Sequence, residues 1–218
     1  GMLAVDVGCG PGDYAALLSR RHGCSVLGLD LALGTLQLAL ADQQLEDDLY
    51  FGQANIEAMP LPDQQVDLIL CRDILLHVLD LEQGVAECSR VLRPDGSMIV
   101  LATVLGEDLS LEEAATRFES LGVVAGNLAQ ERLEAAFEQA GLTIHRTEVI
   151  GGERLEYYEE QSGYYSRELL RLARMQRDPQ RYIQLLGAER YQVTVALYTL
   201  SISLLIGKLI DVVYWLKK

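Results

Sequence analysis

The sequence VDVGCGPGDY, residues 5–14, joins a short apolar run to a turn that contains Gly8, Gly10 and Gly12. Glycine loses more backbone freedom on folding than any other residue, so this cluster indicates a turn with a specific need for glycine. A buried strand that ends in such a turn and continues into a helix presents free N–H groups to a ligand. The stretch therefore predicts a strand–turn–helix unit that binds a small molecule.

The spacing of the glycines narrows the class of ligand. In the dinucleotide fingerprint G-x-G-x-x-G the third glycine falls at position 13, where this chain has Asp13, so a nicotinamide-dependent reductase is disfavoured. No G-K-[ST] follows the turn, which excludes a P-loop. Asp6 and Asp13 place an acid on each side of the turn and would repel a pyrophosphate. The turn favours a ligand that is neutral or cationic at this end.

Strands and helices alternate through the first half of the chain. Apolar runs predict strands, and 3.6-residue periodicity predicts helices between them. The fourth and fifth strands are continuous apolar runs, which suits a parallel sheet covered on both faces. This order predicts β-α-β units and a doubly wound α/β sheet. The predicted strands are 3–7, 24–30, 49–53, 66–71 and 97–103, and the predicted helices are 13–22, 33–43 and 81–92, the last one closed by a turn at RPDG, 93–96.

The second half is mostly helical. Ser110 and Glu113 form a capping-box pattern for a helix that runs to about residue 121. A further helix over 128–140 and a strand over 142–150 follow. Residues 153–206 have a helical pattern with breaks at Asp178-Pro179 and Gly187, and they contain seven of the ten tyrosines. DVVYWLKK, 211–218, predicts a last strand, so the sequence indicates one α/β domain with a helical insertion.

Composition restricts the partners and the compartment. The formal net charge of −14 argues against a nucleic-acid substrate, because phosphate binding needs clustered Lys and Arg. The four cysteines form no C-x-x-C pair, so they predict buried reduced thiols and no metal site. No signal-peptide pattern opens the chain. The uncharged run of 15 residues over 193–207 is shorter than the ~20 of a membrane span. We therefore expect a cytoplasmic protein with no transmembrane span, with contact at a membrane surface as a minor alternative.

Four motifs in register resemble one family. VDVGCGPGDY is similar to the first motif of class I S-adenosylmethionine-dependent methyltransferases. The stretches that agree with the other motifs are GLDLA (28–32), QANIEAMPLPDQQVDLILCRD (53–73) and VLRPDGSMIV (91–100). The helix and strand at 133–148 also agree. The resemblance covers residues 3–105 and 128–150 and is greatest to the small-molecule branch that includes the quinone-biosynthesis methyltransferases.

The resemblance implies a fold and its domains. It implies a Rossmann-like methyltransferase fold, with a mainly parallel seven-stranded sheet whose last strand is antiparallel. The cofactor-binding domain would comprise residues 1–152 and 207–218. Residues 153–206 would form a helical, Tyr-rich lid inserted before the last strand. Helices that precede the first strand in the family have no counterpart here, so either they lie outside this sequence or the insertion replaces them.

The resemblance also implies a cofactor site for S-adenosyl-L-methionine, with S-adenosyl-L-homocysteine as the product. Asp6 would hold the glycine turn and attract the ammonium group of the cofactor, and Asp30 would accept hydrogen bonds from both ribose hydroxyls. Asn55 stands where this branch usually has Asp, and its amide oxygen can still accept from the adenine amino group. Glu57 would either fix this loop or contact the cofactor. The remaining contacts would be the backbone of Gly8 and Gly10 at the methionine part, Leu31 on the adenine face, and the backbone of Ile56 and Arg72.

The implied activity is methyl transfer to a small-molecule acceptor by in-line displacement. A general base is needed only where the acceptor nucleophile carries a proton. Asp73 and His77 follow the fourth strand and are the candidates for catalytic groups, because this end of the strand is the ligand-binding edge of an open α/β sheet. A histidine packed between Leu76 and Val78 is the alternative for His77.

The acceptor is less well defined. The tyrosines of residues 153–206 suit aromatic, isoprenoid or cationic acceptors, because each ring joins an apolar face to a polar tip. Tyr157 and Tyr158 are the predicted substrate contacts. The apolar C-terminal helix is the candidate interface for a homodimer. A non-catalytic regulatory or scaffold protein that binds the same cofactor is the alternative function, motivated by Asn55 and the absent N-terminal cover.

Overall fold

The computed structural model describes residues 1–42 and 48–218. Gln43, the predicted last residue of the second helix, lies outside them. The strands are β1 (Leu3–Val7), β2 (Ser25–Asp30), β3 (Leu49–Gln53), β4 (Val66–Arg72), β5 (Leu92–Leu105), β6 (Thr143–Ile150) and β7 (Leu209–Lys217). The helices are α1 (Asp13–His22), α2 (Leu33–Asp42), α3 (Leu81–Val91), α4 (Leu111–Phe118), α5 (Gln130–Gln139), α6 (Gly152–Ser162), α7 (Tyr164–Arg177), α8 (Pro179–Leu186) and α9 (Ala188–Leu205).

The strands form a single seven-stranded sheet in the order β3-β2-β1-β4-β5-β7-β6. Neighbours from β3 to β5 pair in parallel, and the C-terminal strands are antiparallel, which agrees with the predicted, mainly parallel sheet whose last strand is antiparallel. The chain order reverses between β1 and β4, where β1 has β2 on one side and β4 on the other. A switch point of this kind opens a crevice at the carboxyl ends of the strands, and open α/β sheets bind ligands there.

Small residues allow α1 to pack closely on the sheet. Ala15 and Ala16 are fully buried and form a core cluster with Ala4, Cys24 and Val26. Their small side chains bring the start of α1 close to β1 and β2. The core therefore fixes the position of the helix that follows the glycine turn.

The RPDG segment differs from the prediction. It lies within β5, not in a turn that precedes the strand. Val66 pairs with Leu92, whereas Leu68 pairs with Ser97, so four β5 residues oppose one residue of β4. Asp95 adopts a left-handed φ of 65°. The turn-forming residues thus produce a bulge, and pairing with β4 on both sides of the bulge keeps the strand continuous.

The helical second half begins and ends its elements largely where the sequence predicts. Ser110 and Glu113 form the expected capping box at α4. The breaks at Asp178-Pro179 and Gly187 separate α7, α8 and α9. Gly163, with a left-handed φ of 59°, makes a further break between α6 and α7 that was not predicted. A left-handed residue ends a helix and is usually glycine, which explains this boundary.

The chain divides into two compact units, and the division differs from the predicted domains. The first unit comprises Gly1–Ala102, Glu131–Glu148 and Val213–Lys218, and the second comprises Thr103–Gln130 and Val149–Val212. The second unit thus includes residues 103–130 as well as the predicted insertion. The assignment of residues 153–206 as a lid stays a prediction.

The lengths of the helices bear on the expectation that the protein has no transmembrane span. Among the described residues, α9 is the longest helix, with 18 residues. No helix in this part of the chain combines the length and the apolar character that crossing a bilayer requires.

Candidate functional site

The glycine turn has left-handed backbone at three alternate positions. The φ angles of Gly8, Gly10 and Gly12 are 72°, 54° and 87°. L-residues pay roughly 1–2 kcal/mol in this region because Cβ approaches the following carbonyl oxygen. The turn also bends back onto β2, since the N–H groups of Gly8 and Cys9 donate to the Leu29 carbonyl at 2.7 and 3.0 Å. The alternate spacing of the three glycines therefore matches the three positions at which the turn has a left-handed backbone.

Two of these glycines also have neighbours that exclude a side chain. A Cβ on Gly8 would lie 2.7 Å from the Ile74 side chain, and one on Gly12 would lie 2.6 Å from the Phe51 ring. Gly10 has no atom within 4 Å of the same position. Gly8 and Gly12 thus meet a packing requirement in addition to the conformational one.

A cavity of about 510 Å³ opens beside this turn, entirely within the first unit. Its volume lies within the range of roughly 300–1,000 Å³ that is usual for small-molecule sites. The predicted site residues that line it are Gly8, Asp30, Leu31, Asn55, Ile56, Arg72, Asp73 and His77. Asp6 and Gly10 are not among the lining residues. The cavity thus collects residues from four separate segments of the chain.

Asp30 links the glycine turn to the cavity. Its Oδ2 accepts the Gly10 N–H at 2.8 Å, and its Oδ1 accepts the Ala32 N–H at 2.8 Å. Each carboxylate oxygen can accept a further hydrogen bond, so a ligand hydroxyl pair has acceptors available. Gly10 therefore acts through Asp30, because its N–H fixes the orientation of that carboxylate.

Asp6 is buried behind the turn, with 2% of its surface exposed. Burial raises the pKa of its carboxyl group from 3.8 to about 6, although the nearby Arg72 charge and a hydrogen bond from the Ala15 N–H oppose the rise. Its Oδ2 has no hydrogen-bond partner among the described residues. The contact with Ala15 joins the end of β1 to the start of α1, which agrees with the expectation that Asp6 holds the turn.

The pKa of Asp6 predicts a specific dependence of stability on pH. The folded protein retains a proton that the unfolded chain releases between pH 4 and 6, so the contribution of Asp6 to the unfolding free energy falls as pH rises through this window. We expect the contribution of Asp6 to lower the unfolding free energy by up to about 3 kcal/mol between pH 4 and pH 7. The Asp6→Asn variant should lack this decrease, because asparagine does not titrate. Urea unfolding of both proteins across this range measures the difference. Equal pH slopes for the two proteins would contradict the assignment.

Asn55 and Glu57 form one hydrogen-bonded loop. Asn55 Oδ1 accepts the Glu57 N–H at 3.0 Å, and its Nδ2 donates to Glu57 Oε2 at 3.4 Å. Glu57 Oε1 in turn accepts the Asp80 N–H at 3.0 Å, near the start of α3. Glu57 therefore fixes the loop, which is one of its two expected roles. It also lines the cavity, so its position is compatible with the other expected role, contact with the cofactor.

Arg90 is a positioning residue that sequence reasoning missed. From α3 its guanidinium donates to the carbonyls of Met59 and Leu61 at 3.1 and 2.8 Å, and it pairs with Asp63 at 2.6 Å and Glu87 at 2.7 Å. These bonds hold the segment that follows Asn55. The signal was obscure because three of the four partners are 27 to 31 residues away and two of these are backbone carbonyls.

Arg72 lies between an aromatic ring and a carboxylate. Its guanidinium carbon is 4.1 Å from the centroid of the Tyr14 ring, and its Nη1 is 3.3 Å from Asp73 Oδ2. Asp73 has a left-handed φ of 56°, which is uncommon for a residue other than glycine. A cation over an aromatic face stabilises the pair by about 0.5–1 kcal/mol when exposed. The Arg72 side chain is therefore oriented by two partners beside the cavity.

His77 ends a short 3₁₀-helix, Leu75–His77, and lines the cavity. The two leucines of this turn are buried, which places His77 at the cavity and not in the core. The apolar wall around it includes Ile74, Val78 and Leu79, which the sequence analysis did not assign. Leu79 is 82% exposed, so it lies at the rim.

The cysteines show no sign of reactivity. All four are buried and free. Burial raises the pKa of Cys9 to about 12, helped by the nearby carboxylates of Asp6 and Asp30. Burial also raises the pKa values of Cys71 and Cys88. A thiol that stays protonated is a poor nucleophile, so the structure agrees with the buried reduced thiols that the sequence predicts.

The predicted substrate contacts lie in the second unit. Tyr157 and Tyr158 are on α6 and are 67% and 51% exposed. Tyr158 belongs to a cluster with Tyr164 and Tyr165, whose ring centroids lie 5.1 to 6.5 Å apart. The role of Tyr157 and Tyr158 stays a prediction.

Comparison with solved structures identifies the fold. A geranyl diphosphate C-methyltransferase from Streptomyces coelicolor A3(2) matches 100% of this chain and 71% of its own, with a TM-score of 0.70 and 17% identity. The [4+2]-cyclase SpnF matches 100% and 74% of the two chains, with a TM-score of 0.74 and 20% identity. Identities this low establish the fold alone.

Sequence comparison adds the family. Methyltransferase GfsG of Streptomyces halstedii is 30% identical over 151 residues, which cover 66% of this chain and 54% of that protein. The chain spans about half the length of the curated relatives it matches. Residues 5–100 match the family model described as methyltransferase domain, and this range includes all four motifs. The resemblance predicted from those motifs is confirmed: residues 5–100 of this chain are similar to the methyltransferase domain family.

Proposed function

We propose that this protein binds S-adenosyl-L-methionine and transfers its methyl group to a small-molecule acceptor. The observation that carries the proposal is the cavity, which brings the glycine turn, Asp30, the Asn55 loop and the end of β4 together in a methyltransferase domain. Gly8, Asp30, Asn55 and Arg72, one from each segment, are separated by 17 to 25 residues in the sequence. Their convergence supplies both the polar acceptors and the apolar walls that this cofactor needs.

The residues of the cavity suit different parts of the cofactor. Asp30 would accept from the ribose hydroxyls, because each of its oxygens keeps a free acceptor position. Leu31, which is 66% exposed, would cover the adenine, with the Ile56 backbone at the ring. Asn55 Oδ1 would accept from the adenine amino group through its second acceptor position, since Glu57 occupies the first.

The methionine part would lie near the glycine turn and the end of β4. The backbone of Gly8 and Arg72 would contact it, and Asp6 would favour its ammonium group from behind the turn. The orphaned Oδ2 of Asp6 supports this role, because a buried carboxylate without a partner gains from a nearby cation. Gly10 would contribute through the orientation of Asp30.

When bound, this cofactor supplies a methyl group on a sulfonium, which is already a good leaving group. The chain therefore needs to align the acceptor and exclude water, and orientation alone provides effective molarities of roughly 10⁵ M or more. His77 would remove a proton from an acceptor that carries one, since histidine is the side chain that most often acts as a general base. Asp73 would orient Arg72 and face the acceptor beside His77.

Isothermal titration calorimetry with S-adenosylhomocysteine tests the proposal. We expect saturable binding of one molecule per chain at micromolar concentrations. Formation of S-adenosylhomocysteine from S-adenosylmethionine, with aromatic, isoprenoid and amine acceptors, then tests the transfer. His77→Gln should lower kcat and leave the affinity for S-adenosylhomocysteine unchanged. Absence of binding at millimolar concentrations would refute the proposal.

Three finer expectations belong to the same proposal. Tyr157 and Tyr158 are proposed acceptor contacts, and their replacement by Phe should raise KM for the acceptor more than it lowers kcat.

A homodimer through the C-terminal helices and a cytoplasmic location are also proposed. An elution volume typical of a monomer in size-exclusion chromatography would contradict the dimer, and recovery in a membrane fraction would contradict the location.

A further inference from the structure

A second cavity, of about 390 Å³, lies within the second unit and is lined by one face from each of three helices. Residues three or four positions apart lie on one face of a helix. The lining residues have this spacing on every helix: Arg171, Arg174 and Met175 on α7, Tyr182, Leu185 and Leu186 on α8, and Arg190, Thr194 and Tyr198 on α9. We call this cavity the arginine cleft. Its lining is thus a continuous surface made by helix packing.

The arginine cleft concentrates positive charge in an acidic protein. Residues 164–190 contain six arginines and three acidic residues, although the whole chain has a net charge of −14. Within the described ranges, 1–42 and 48–218, none of Arg171, Arg174 and Arg190 has a carboxylate within ion-pair distance. The guanidinium groups of Arg72, Arg90 and Arg132, by contrast, each pair with a carboxylate. Three unpaired like charges around one cavity favour an anion between them.

The rest of the lining is apolar or aromatic. Met175 is 4% exposed and closes the cavity toward the interior. Leu185 is 67% exposed and extends the apolar surface to the rim. Tyr182 on α8 and Tyr198 on α9 add aromatic rings, which suit an apolar group, whereas the arginines suit an anionic one. A fully hydrated anion such as inorganic phosphate would leave this surface unused.

We propose that the arginine cleft binds a small amphiphilic anion, in which a phosphate, sulfonate or carboxylate group is joined to an apolar body. Arg171, Arg174 and Arg190 contact the anionic group through charge-assisted hydrogen bonds. Met175, Leu186 and the two tyrosines contact the apolar body. The ligand can be a free metabolite or a phospholipid at a membrane surface, because both present this chemistry. The site lies in the second unit alone and does not depend on the cofactor cavity.

Binding of octyl phosphate tests both halves of the proposal. Calorimetry compares it with octanol, which lacks the anion, and with inorganic phosphate, which lacks the apolar body. We expect octyl phosphate to bind at least tenfold more tightly than either. Because the arginines are exposed, 1 M KCl should weaken the binding. Equal affinity for octyl phosphate and octanol, or for octyl phosphate and inorganic phosphate, would overturn the proposal.

Matched variants locate the site. Arg174→Gln and Arg190→Gln should each raise the Kd of octyl phosphate about tenfold, the scale of one hydrogen bond to a charged group. Arg177→Gln and Arg181→Gln are the controls, since these arginines are on α7 and α8 but do not line the cavity. Thermal unfolding checks that all four variants remain folded. Equal losses of affinity in the lining and control variants would overturn the proposal.

Vesicle sedimentation distinguishes the two sources of the ligand. The vesicles are phosphatidylcholine alone or phosphatidylcholine with phosphatidylglycerol. Binding to the anionic vesicles that Arg174→Gln weakens supports the site with a membrane lipid as its source. Octyl phosphate binding without sedimentation supports the site with a free ligand as its source. Failure of both probes to bind would overturn the proposal, whatever the result with S-adenosylhomocysteine.

Discussion

Replacement of Asp30 by alanine is expected to weaken S-adenosylhomocysteine binding by about 100-fold or more. The variant loses both proposed acceptors for the ribose hydroxyls. It also loses the bonds from the Gly10 and Ala32 N–H groups, each 2.8 Å long, that join the glycine turn to the loop after β2. A hydrogen bond to a charged group is worth about 1.5–3 kcal/mol, so loss of two contacts gives an effect of this size. Calorimetry measures the change in Kd.

Asp13→Ala is the matched control for this variant. Asp13 is the first residue of α1, directly after the glycine turn, but it is exposed and does not line the cavity. The control removes one negative charge near the same turn, so it separates the hydrogen bonds of Asp30 from a general effect of charge. We expect less than a threefold change in Kd for Asp13→Ala. Equal losses in the two variants would argue against a direct role for Asp30.

Alanine at Gly8 is expected to lower the unfolding free energy by about 3 kcal/mol and to abolish cofactor binding. The left-handed φ of 72° costs a residue with a Cβ roughly 1–2 kcal/mol. The new Cβ would also lie 2.7 Å from the Ile74 side chain, and overpacking of this kind costs roughly 1–3 kcal/mol. Gly8 and Ile74 both line the cavity, so the strain deforms its wall. Urea unfolding and calorimetry measure the two losses.

Gly10→Ala separates the two contributions. Gly10 has a left-handed φ of 54°, but no atom lies within 4 Å of the position of a Cβ. This variant therefore pays the conformational cost without the clash, and we expect a loss of about 1–2 kcal/mol. A stability loss for Gly10→Ala as large as that for Gly8→Ala would show that contact with Ile74 contributes little.

The local sequence pattern was sufficient to predict most of the fold. The alternation of apolar strands and amphipathic helices correctly predicted the parallel part of the sheet, and Ser110 with Glu113 correctly predicted the start of α4. The prediction was wrong at RPDG, where pairing with β4 on both sides overrides the local preference for a turn. The break at Gly163 was missed because an isolated glycine within a helical pattern does not distinguish a helix end from a tolerated interior residue.

The candidate site likewise contains residues that the sequence predicted and residues that it missed. Eight predicted residues line the cavity because motifs at the carboxyl ends of parallel strands necessarily converge at one edge of the sheet. The fixation of the Asn55 loop by Arg90 was not predicted, since its partners include main-chain carbonyls that leave no trace in the residue types. The apolar wall of Ile74, Val78 and Leu79 was missed because it depends on how the segment after β4 turns.

By itself the sequence determined that the glycine spacing in VDVGCGPGDY departs from the dinucleotide and P-loop patterns, and the left-handed backbone at positions 8, 10 and 12 is a local property that follows from these glycines. Only the tertiary structure decided what those glycines face. The Ile74 and Phe51 side chains come from distant segments, and their approach makes Gly8 and Gly12 necessary for packing as well as for conformation. The same holds for the arginine cleft, because its charges converge only when α7, α8 and α9 pack together.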